Sequence, residues 1–452
     1  MIAYSESKRM MPPHATHTQP DELQSIENLL ERLYPICRSI TGQGVRDTLA
    51  ILQSLIPDLC VQSVPTGTAA FDWTVPNEWN IREAWVKDPQ GRTVVDFQDC
   101  NLHVVSYSAP LHERMPLSRL KQHLHTMPDD PALIPYRTSY YHPTWGFCMR
   151  HRDYMKLRDG TYEIYIDSTL APGEFNYGEL VIEGDSSDEV LFTTHICHPS
   201  MCNDNLSGIV VATHLAKALA NTRLRHTYRF LFIPGGIGSI VWMSRNIDAL
   251  SRIRHGLVLT CLGDPSDFTY KKSWAGTSVM DRAVQQVLQE SQSSYRVINF
   301  EPYGYDERNL NSPRFRLPVG CLMRSRHSDF PGYHSSGDDF NLVDTARLQE
   351  ALQRCVEVVQ VLEHNQTFMN LIPEAEPQLG KRGLYGQFGG LQKREPLEMA
   401  LLWVMNMSDG NHSLLDIAEH SSHSFHTIQL AAEKLCECGL LQTTANNGHA
   451  EA

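Results

Sequence analysis

The run Thr193-Thr194-His195-Ile196-Cys197-His198-Pro199-Ser200-Met201-Cys202-Asn203-Asp204 puts two imidazoles and a carboxylate into one short stretch. Imidazole nitrogen and carboxylate oxygen are the donors of catalytic zinc sites, which use about three protein ligands and keep a position open for water or substrate. More distant candidates for the same cation are Asp264, in Gly263-Asp264-Pro265, and His334, in Gly332-Tyr333-His334-Ser335-Ser336. An acidic pair, Asp306-Glu307, follows Tyr305, and Glu307 or Asp306 is a provisional general base. Each has a plainer reading as well. Asp204 could cap the following helix, Asp264 could be a turn residue, and Asp306 and Glu307 could be solvated loop carboxylates. Cys197 and Cys202 lack the paired spacing of a closed thiolate site and read as packing thiols.

Something must bring these side chains together. Val190-Leu191-Phe192 reads as a buried strand running out at His195, and 206–220 has the apolar spacing and small residues of a packed helix. Donors at the carboxyl end of such a strand face the crevice where open α/β sheets bind ligands. Strands are predicted at 189–196, 228–233, 256–261 and 319–323, and helices at 206–220, 237–250, 277–290 and 345–364. This alternation predicts an α/β fold, a mainly parallel sheet with helices on both faces.

The rest of the chain has other textures. Residues 1–20 carry Met10-Met11-Pro12-Pro13 without periodicity and read as a disordered leader. Residues 21–64 begin with amphipathic helices, the first carrying Ile26, Leu29, Leu30 and Leu33 on one face, and are assigned with 161–372 to one discontinuous catalytic domain. Between them 65–160, with short alternating runs broken by prolines and aromatics, reads as an inserted β-rich domain. After a glycine-punctuated linker, helices predicted at 397–405, 413–420 and 427–438 make 385–445 a winged-helix-like domain.

Composition narrows the partners. The 452 residues are 41% hydrophobic and 20% charged, with a formal net charge of −13. Non-specific binding to nucleic acid or anionic membrane needs a positive surface, so neither is expected. From Tyr385 onward the chain has three basic and eight acidic residues, which favours a protein contact, with a second copy or another partner, over DNA binding. The eleven cysteines form no framework and the N-terminus has no apolar export segment, giving an expected cytoplasmic location with free thiols. A small molecule or short peptide is the expected substrate.

Three sets of residues carry a resemblance. The segment His195 to Gly208, the run Phe230-Leu231-Phe232-Ile233-Pro234-Gly235-Gly236-Ile237-Gly238-Ser239 and the late Tyr333-His334 resemble the co-catalytic zinc aminopeptidase fold, which glutaminyl cyclases share. More narrowly, Tyr34-Pro35-Ile36-Cys37-Arg38-Ser39-Ile40-Thr41-Gly42, Phe71-Asp72-Trp73-Thr74-Val75-Pro76-Asn77-Glu78-Trp79-Asn80-Ile81 and Ile134-Pro135-Tyr136-Arg137-Thr138-Ser139-Tyr140-Tyr141 resemble a bacterial family of aminopeptidase-like proteins. The resemblance implies an aminopeptidase-like body with a β-rich insert and a winged-helix tail. It puts His195 and His334 on the histidine ligands, Asp204 on the metal-bridging aspartate and Asp264 on the carboxylate of a second metal. Cys197 stands where the fold has an aspartate, which makes His198 a substitute ligand. The implied cofactor is zinc, one ion or two.

One departure bears on activity. The fold follows its central strand with two glutamates, a base and a ligand, where this chain has Gly235-Gly236. A general base contributes about 10²–10⁴ in rate. Two readings follow: a zinc-dependent hydrolase of an amide or peptide bond, or a catalytically impaired binding or scaffold protein of a biosynthetic pathway.

Overall fold

The computed structural model describes residues 9–10, 20–384 and 396–444. Apart from Arg9–Met10 and Pro20, the expected leader lies outside the described residues, as does the linker over 385–395. The chain divides into two compact units, one of Met1–Met10, Thr16–Ser278 and Ser294–Gln353, the other of Met11–Ala15, Val279–Ser293 and Arg354–Ala452.

The first unit is built on an eight-stranded sheet with a parallel centre. Its spatial order is Tyr295–Ile298, Phe268–Lys271, Val319–Met323, Ile253–Leu259, Glu189–His195, Thr227–Ile233, Glu174–Ile182 and Cys60–Pro65. The four strands from Val319–Met323 to Thr227–Ile233 run parallel. Glu174–Ile182 and Cys60–Pro65 add antiparallel partners on one side, and Phe268–Lys271 runs antiparallel to Val319–Met323 on the other. Every residue of Glu189–His195 is buried, as expected for a central strand covered on both faces. At its amino end the buried Glu189 is offset by Arg229, whose Nε lies 2.6 Å from Glu189 Oε2. Register puts His195 opposite Ile233, so the histidine ends its strand where Pro234-Gly235-Gly236 leaves the next.

Helix Ser207–Leu219, almost wholly buried, packs on this centre and on the helices Pro20–Leu33 and Gln43–Leu55. Ile237–Arg245 and the short Asp306–Leu310 pack together, within a core that includes Leu231, Ile233, Val258 and Val319. The helix expected over 237–250 is two helices, Ile237–Arg245 and Ile247–Leu250. Asn246 leaves helical geometry between them (φ −129°, ψ 37°), and its side chain donates to Trp242 O at 2.8 Å. An asparagine amide competes in this way for backbone groups that would otherwise continue the helix.

A four-stranded antiparallel sheet of Thr93–Asp96, Glu78–Lys87, Thr161–Ala171 and Leu111–Pro116 has its own core, with Val86, Val95, Met115, Tyr162, Ile164 and Ile166. Thr161–Ala171, expected in the main body, belongs to this smaller sheet. Alternating burial along that strand gives it one core face and one wetter face.

In the second unit Thr367–Asn370 is the middle strand between Asp409–Ser413 and Leu441–Thr443, with helices Pro396–Met407, Leu414–Ser421 and Phe425–Glu437. Caps set the last two helices. Ser413 and Asp416 form a reciprocal capping box, and Ser424 accepts from Thr427 N–H, satisfying amides the helix itself leaves free. All eleven cysteines are unpaired. Among the described residues no helix is long and apolar enough to cross a membrane.

Candidate metal centre

Asp204 is fully buried, and three histidines face its carboxylate. His195 Nε2 lies 2.8 Å from Oδ1, and His334 Nε2 and His198 Nε2 lie 3.1 and 3.9 Å from Oδ2. One donor atom from each of His195, His198 and Asp204 falls within 4.8 Å of the others. Burial would raise the Asp204 carboxyl, but the imidazoles of His198, His195 and His334 outweigh it and hold it well below the usual carboxylate range. Burial pulls His198 well below the ordinary histidine range, against the opposing charge of Asp204.

Each donor has a mechanical support. His195 is anchored by the central strand. Asp204 sits in the tight segment Cys202–Leu206, with a cis peptide bond to Asn205. The amides of Asn203 and Asp204 donate to the two oxygens of Asp338, at 2.5 and 2.8 Å. His198 is held through its backbone, whose carbonyl accepts from Arg38 Nε at 2.9 Å. Arg38 is itself fully buried and also donates to Leu33 O. The His334 loop is held by the segment around Tyr136: Tyr136 N–H donates to His334 O at 2.7 Å and Ser336 N–H to Ile134 O at 2.8 Å. Two of the motifs behind the resemblance, Tyr34 to Gly42 and Ile134 to Tyr141, therefore brace the loops that carry imidazoles.

The cluster opens on a cavity of about 340 Å³ lined by Tyr136, Arg137, Thr138, Tyr140, Cys197, His198, Gly235, Tyr305 and His334. Tyrosine rings, two imidazoles and one guanidinium make its wall. The Cys197 thiol accepts from Gly235 N–H at 3.2 Å, and burial raises it to about 12, so it is a protonated packing group.

Three expected participants are engaged elsewhere. Asp264 was expected on a second metal, but Oδ2 accepts from Asn203 Nδ2 and Ser325 N–H at 3.0 and 3.1 Å, and Oδ1 from Ser266 N–H and Ser325 Oγ at 3.0 and 2.8 Å. That is the turn reading, with four donors saturating the carboxylate. Glu307 was expected as the base, but it is fully buried in an ion pair with Lys271, and its Oε2 accepts from Tyr305 N–H. Asp306 accepts from Gly236 N–H at 3.2 Å, and burial lifts it to about 6. Neither acid lines the cavity. The plainer reading of both as solvated loop residues also fails, since both are wholly buried.

Two side chains of the cluster escaped the sequence reading. Tyr305 lies flat on His195 with ring centroids 3.8 Å apart, and its hydroxyl donates to Asp204 Oδ2 at 2.9 Å. Its neighbours Asp306 and Glu307 drew attention to the right loop for the wrong atoms. Asp338, four residues past His334, left no signal beyond its place in that loop.

The donor set meets what one zinc ion requires: imidazoles and a carboxylate, converging and open toward a cavity. Asp264, by contrast, has its carboxylate saturated by hydrogen bonds, and Gly235-Gly236 offers no side-chain oxygen.

Comparison with known proteins follows the same lines. Residues 27–365 match the family described as Domain of unknown function (DUF4910). The chain belongs to that family. Residues 366–443 match a winged helix-turn-helix family. A Clostridium acetobutylicum protein named as a candidate polysaccharide biosynthesis protein with an aminopeptidase-like domain is 48% identical over 417 residues, covering 92% of this chain and 96% of that one. The crystal structure of a candidate peptidase from Clostridium acetobutylicum matches with a TM-score of 0.89 at 46% identity, over 94% of this chain and 97% of that one. A zinc aminopeptidase from Bacillus subtilis matches with a TM-score of 0.57 at 15% identity, over 78% of this chain and 96% of that one, which speaks to the fold. The protein is an aminopeptidase-like α/β protein with a C-terminal winged helix.

Proposed function

We propose that the first unit is a mononuclear zinc-dependent hydrolase acting on an amide bond of a small substrate. The convergence of His195, His198 and His334 on the buried Asp204, at the floor of a cavity that would admit only a small ligand, carries this reading. His195 and Asp204 would hold the ion, with His198 and His334 as the further ligands. Zinc at such a site polarises a carbonyl and lowers the pKa of bound water to about 7.

The chain's own residues supply binding and orientation. Arg137 at the cavity wall would pair with a substrate carboxylate or phosphate, since guanidinium favours planar anions. Tyr136 and Tyr140, whose hydroxyls lie 3.0 Å apart, offer one donor and one acceptor to a polar group. The walls combine the flat faces of Tyr136, Tyr140 and Tyr305 with hydroxyl, imidazole and guanidinium groups, a mixture that a sugar ring can match. A carbohydrate-borne amide is the substrate we favour, and the name of the Clostridium acetobutylicum relative supports that choice.

Gly235-Gly236 and the diversion of Glu307 favour a second reading, a binding protein that keeps the metal and has lost turnover. One experiment separates the two. Zinc-loaded protein is offered N-acylated amino sugars, sugar-linked aminoacyl amides and plain aminoacyl amides, and amine release is measured. Turnover abolished by chelation supports the hydrolase; a zinc-loaded chain inert toward the whole panel supports the binding protein. For the winged helix we propose a protein contact, and measurable affinity for duplex DNA at low salt would count against it.

A further inference from the structure

Gly235 is not merely a position that has lost a side chain. A Cβ placed there would lie 3.1 Å from the Tyr305 ring, 3.3 Å from His195 Cβ and 3.4 Å from Cys197 Sγ. The first distance is tighter than ordinary packing allows for two rigid neighbours. The ring of Tyr305, stacked on His195, thus fills the space over the glycine, and any larger residue at 235 would crowd it away from that place. The two features belong together.

The Tyr305 hydroxyl stands among the donors. Its oxygen is 2.9 and 3.2 Å from Asp204 Oδ2 and Oδ1 and 3.5 Å from His198 Nε2. The other candidate donors are spaced alike: 2.8 Å for His195 Nε2 to Asp204 Oδ1 and 3.1 Å for His334 Nε2 to Asp204 Oδ2. Donors about 2.0 Å from a tetrahedral zinc are separated by roughly 3.3 Å from one another. A phenol oxygen at these distances has the spacing of a ligand. An outer hydrogen-bonding group would be expected behind a donor, as Asp338 is behind Asp204.

We propose that Tyr305 is a metal ligand of this centre, supplying the oxygen donor in a chain that carries glycine at 235 and 236. The inference rests on the mononuclear reading above. Coordination would release the phenol proton to solvent as the oxygen lone pair is shared with the cation, with nothing oxidised or reduced. Tyr305 would then join His195 and Asp204 as a donor, with His198 and His334 as the further ligands. The residue before it, Gly304, has φ +144°, a backbone geometry that side-chain-bearing residues rarely adopt.

Copper reports this contact without any assay of turnover. Imidazole sites accept Cu(II) readily, and a phenolate bound to Cu(II) adds an intense visible charge-transfer band that imidazole and carboxylate ligands do not produce. The full chain, freed of metal and titrated with Cu(II), should take up one equivalent and develop that band, with tyrosine vibrations in resonance Raman spectra excited within it. Tyr305→Phe should keep the copper and lose the band, Tyr333→Phe should keep both, and Gly235→Ala should shift or weaken the band by displacing the ring. Copper uptake by the wild-type chain with no tyrosine-enhanced band, or a band that survives in Tyr305→Phe, overturns the assignment of Tyr305 while leaving the mononuclear site standing. Failure of the wild-type chain to bind copper or zinc overturns both.

Discussion

Two groups of buried carboxylates in the first unit meet opposite fates. Around Asp204 the partners are imidazoles, which can exchange a hydrogen bond for a metal bond. Around Asp264 and Glu307 the partners are backbone amides, an asparagine amide, a serine hydroxyl and a lysine, none of which can be traded without leaving an orphan. Burial is complete or nearly so in all three cases. The identity of the facing group, and not depth, separates a candidate metal centre from structural charge.

That contrast is easiest to break at Asp204. Asp204→Asn should reduce zinc affinity by more than the 10–100-fold typical of outer supports, as read by competition with a chelating dye. Asp264→Asn should leave it within a few-fold of wild type. Equal losses in the two variants would erase the distinction.

The reverse pattern should hold for stability. Glu307→Gln leaves Lys271 as an uncompensated buried cation and should cost about 3–5 kcal/mol in urea unfolding, with zinc uptake unchanged wherever the chain is folded. Asp338→Asn is intermediate. One oxygen can still accept from an amide while the other donor is orphaned, so a loss of about 1–3 kcal/mol is expected, together with weaker zinc binding because Asp204 is no longer braced.

A smaller effect is expected at Glu78, in the insert. Burial would raise this carboxyl, but Arg46, Asn80 and the Glu174 amide outweigh it and hold it at about 2 against an ordinary 4.5. A lowered folded-state pKa contributes stability above the unfolded value, and that stability is lost as pH falls toward 2. Glu78→Gln should therefore cost about 1 kcal/mol near neutral pH, and the gap to wild type should close between pH 4.5 and 2. A pH-independent gap would show that packing, and not charge, is what Glu78 supplies.

Sequence carried the local part of this account well. A strand ending in His195 and a helix beginning after Asp204 are read from apolar spacing, and Thr345–His364 is the helix expected at those residues. The winged helix is read from three short helix-like stretches with a turn between the last two, and Ser413 and Ser424 cap those last two helices. Partners distant in the chain were not legible. Nothing near Glu307 announces Lys271, and nothing near Asp264 announces Ser325. A tyrosine, which most often packs, gives no sign that its hydroxyl meets an aspartate a hundred residues earlier. Charge pairing and saturation belong to the folded chain, and they decide which acids are free to do chemistry.

Metal content tests the central claim most directly. Metal-free protein dialysed against zinc and analysed by mass spectrometry should carry one equivalent per chain in the wild type and in Asp264→Asn, and none in His195→Ala. Two equivalents in the wild type, with one lost in Asp264→Asn, would contradict the account, and so would none.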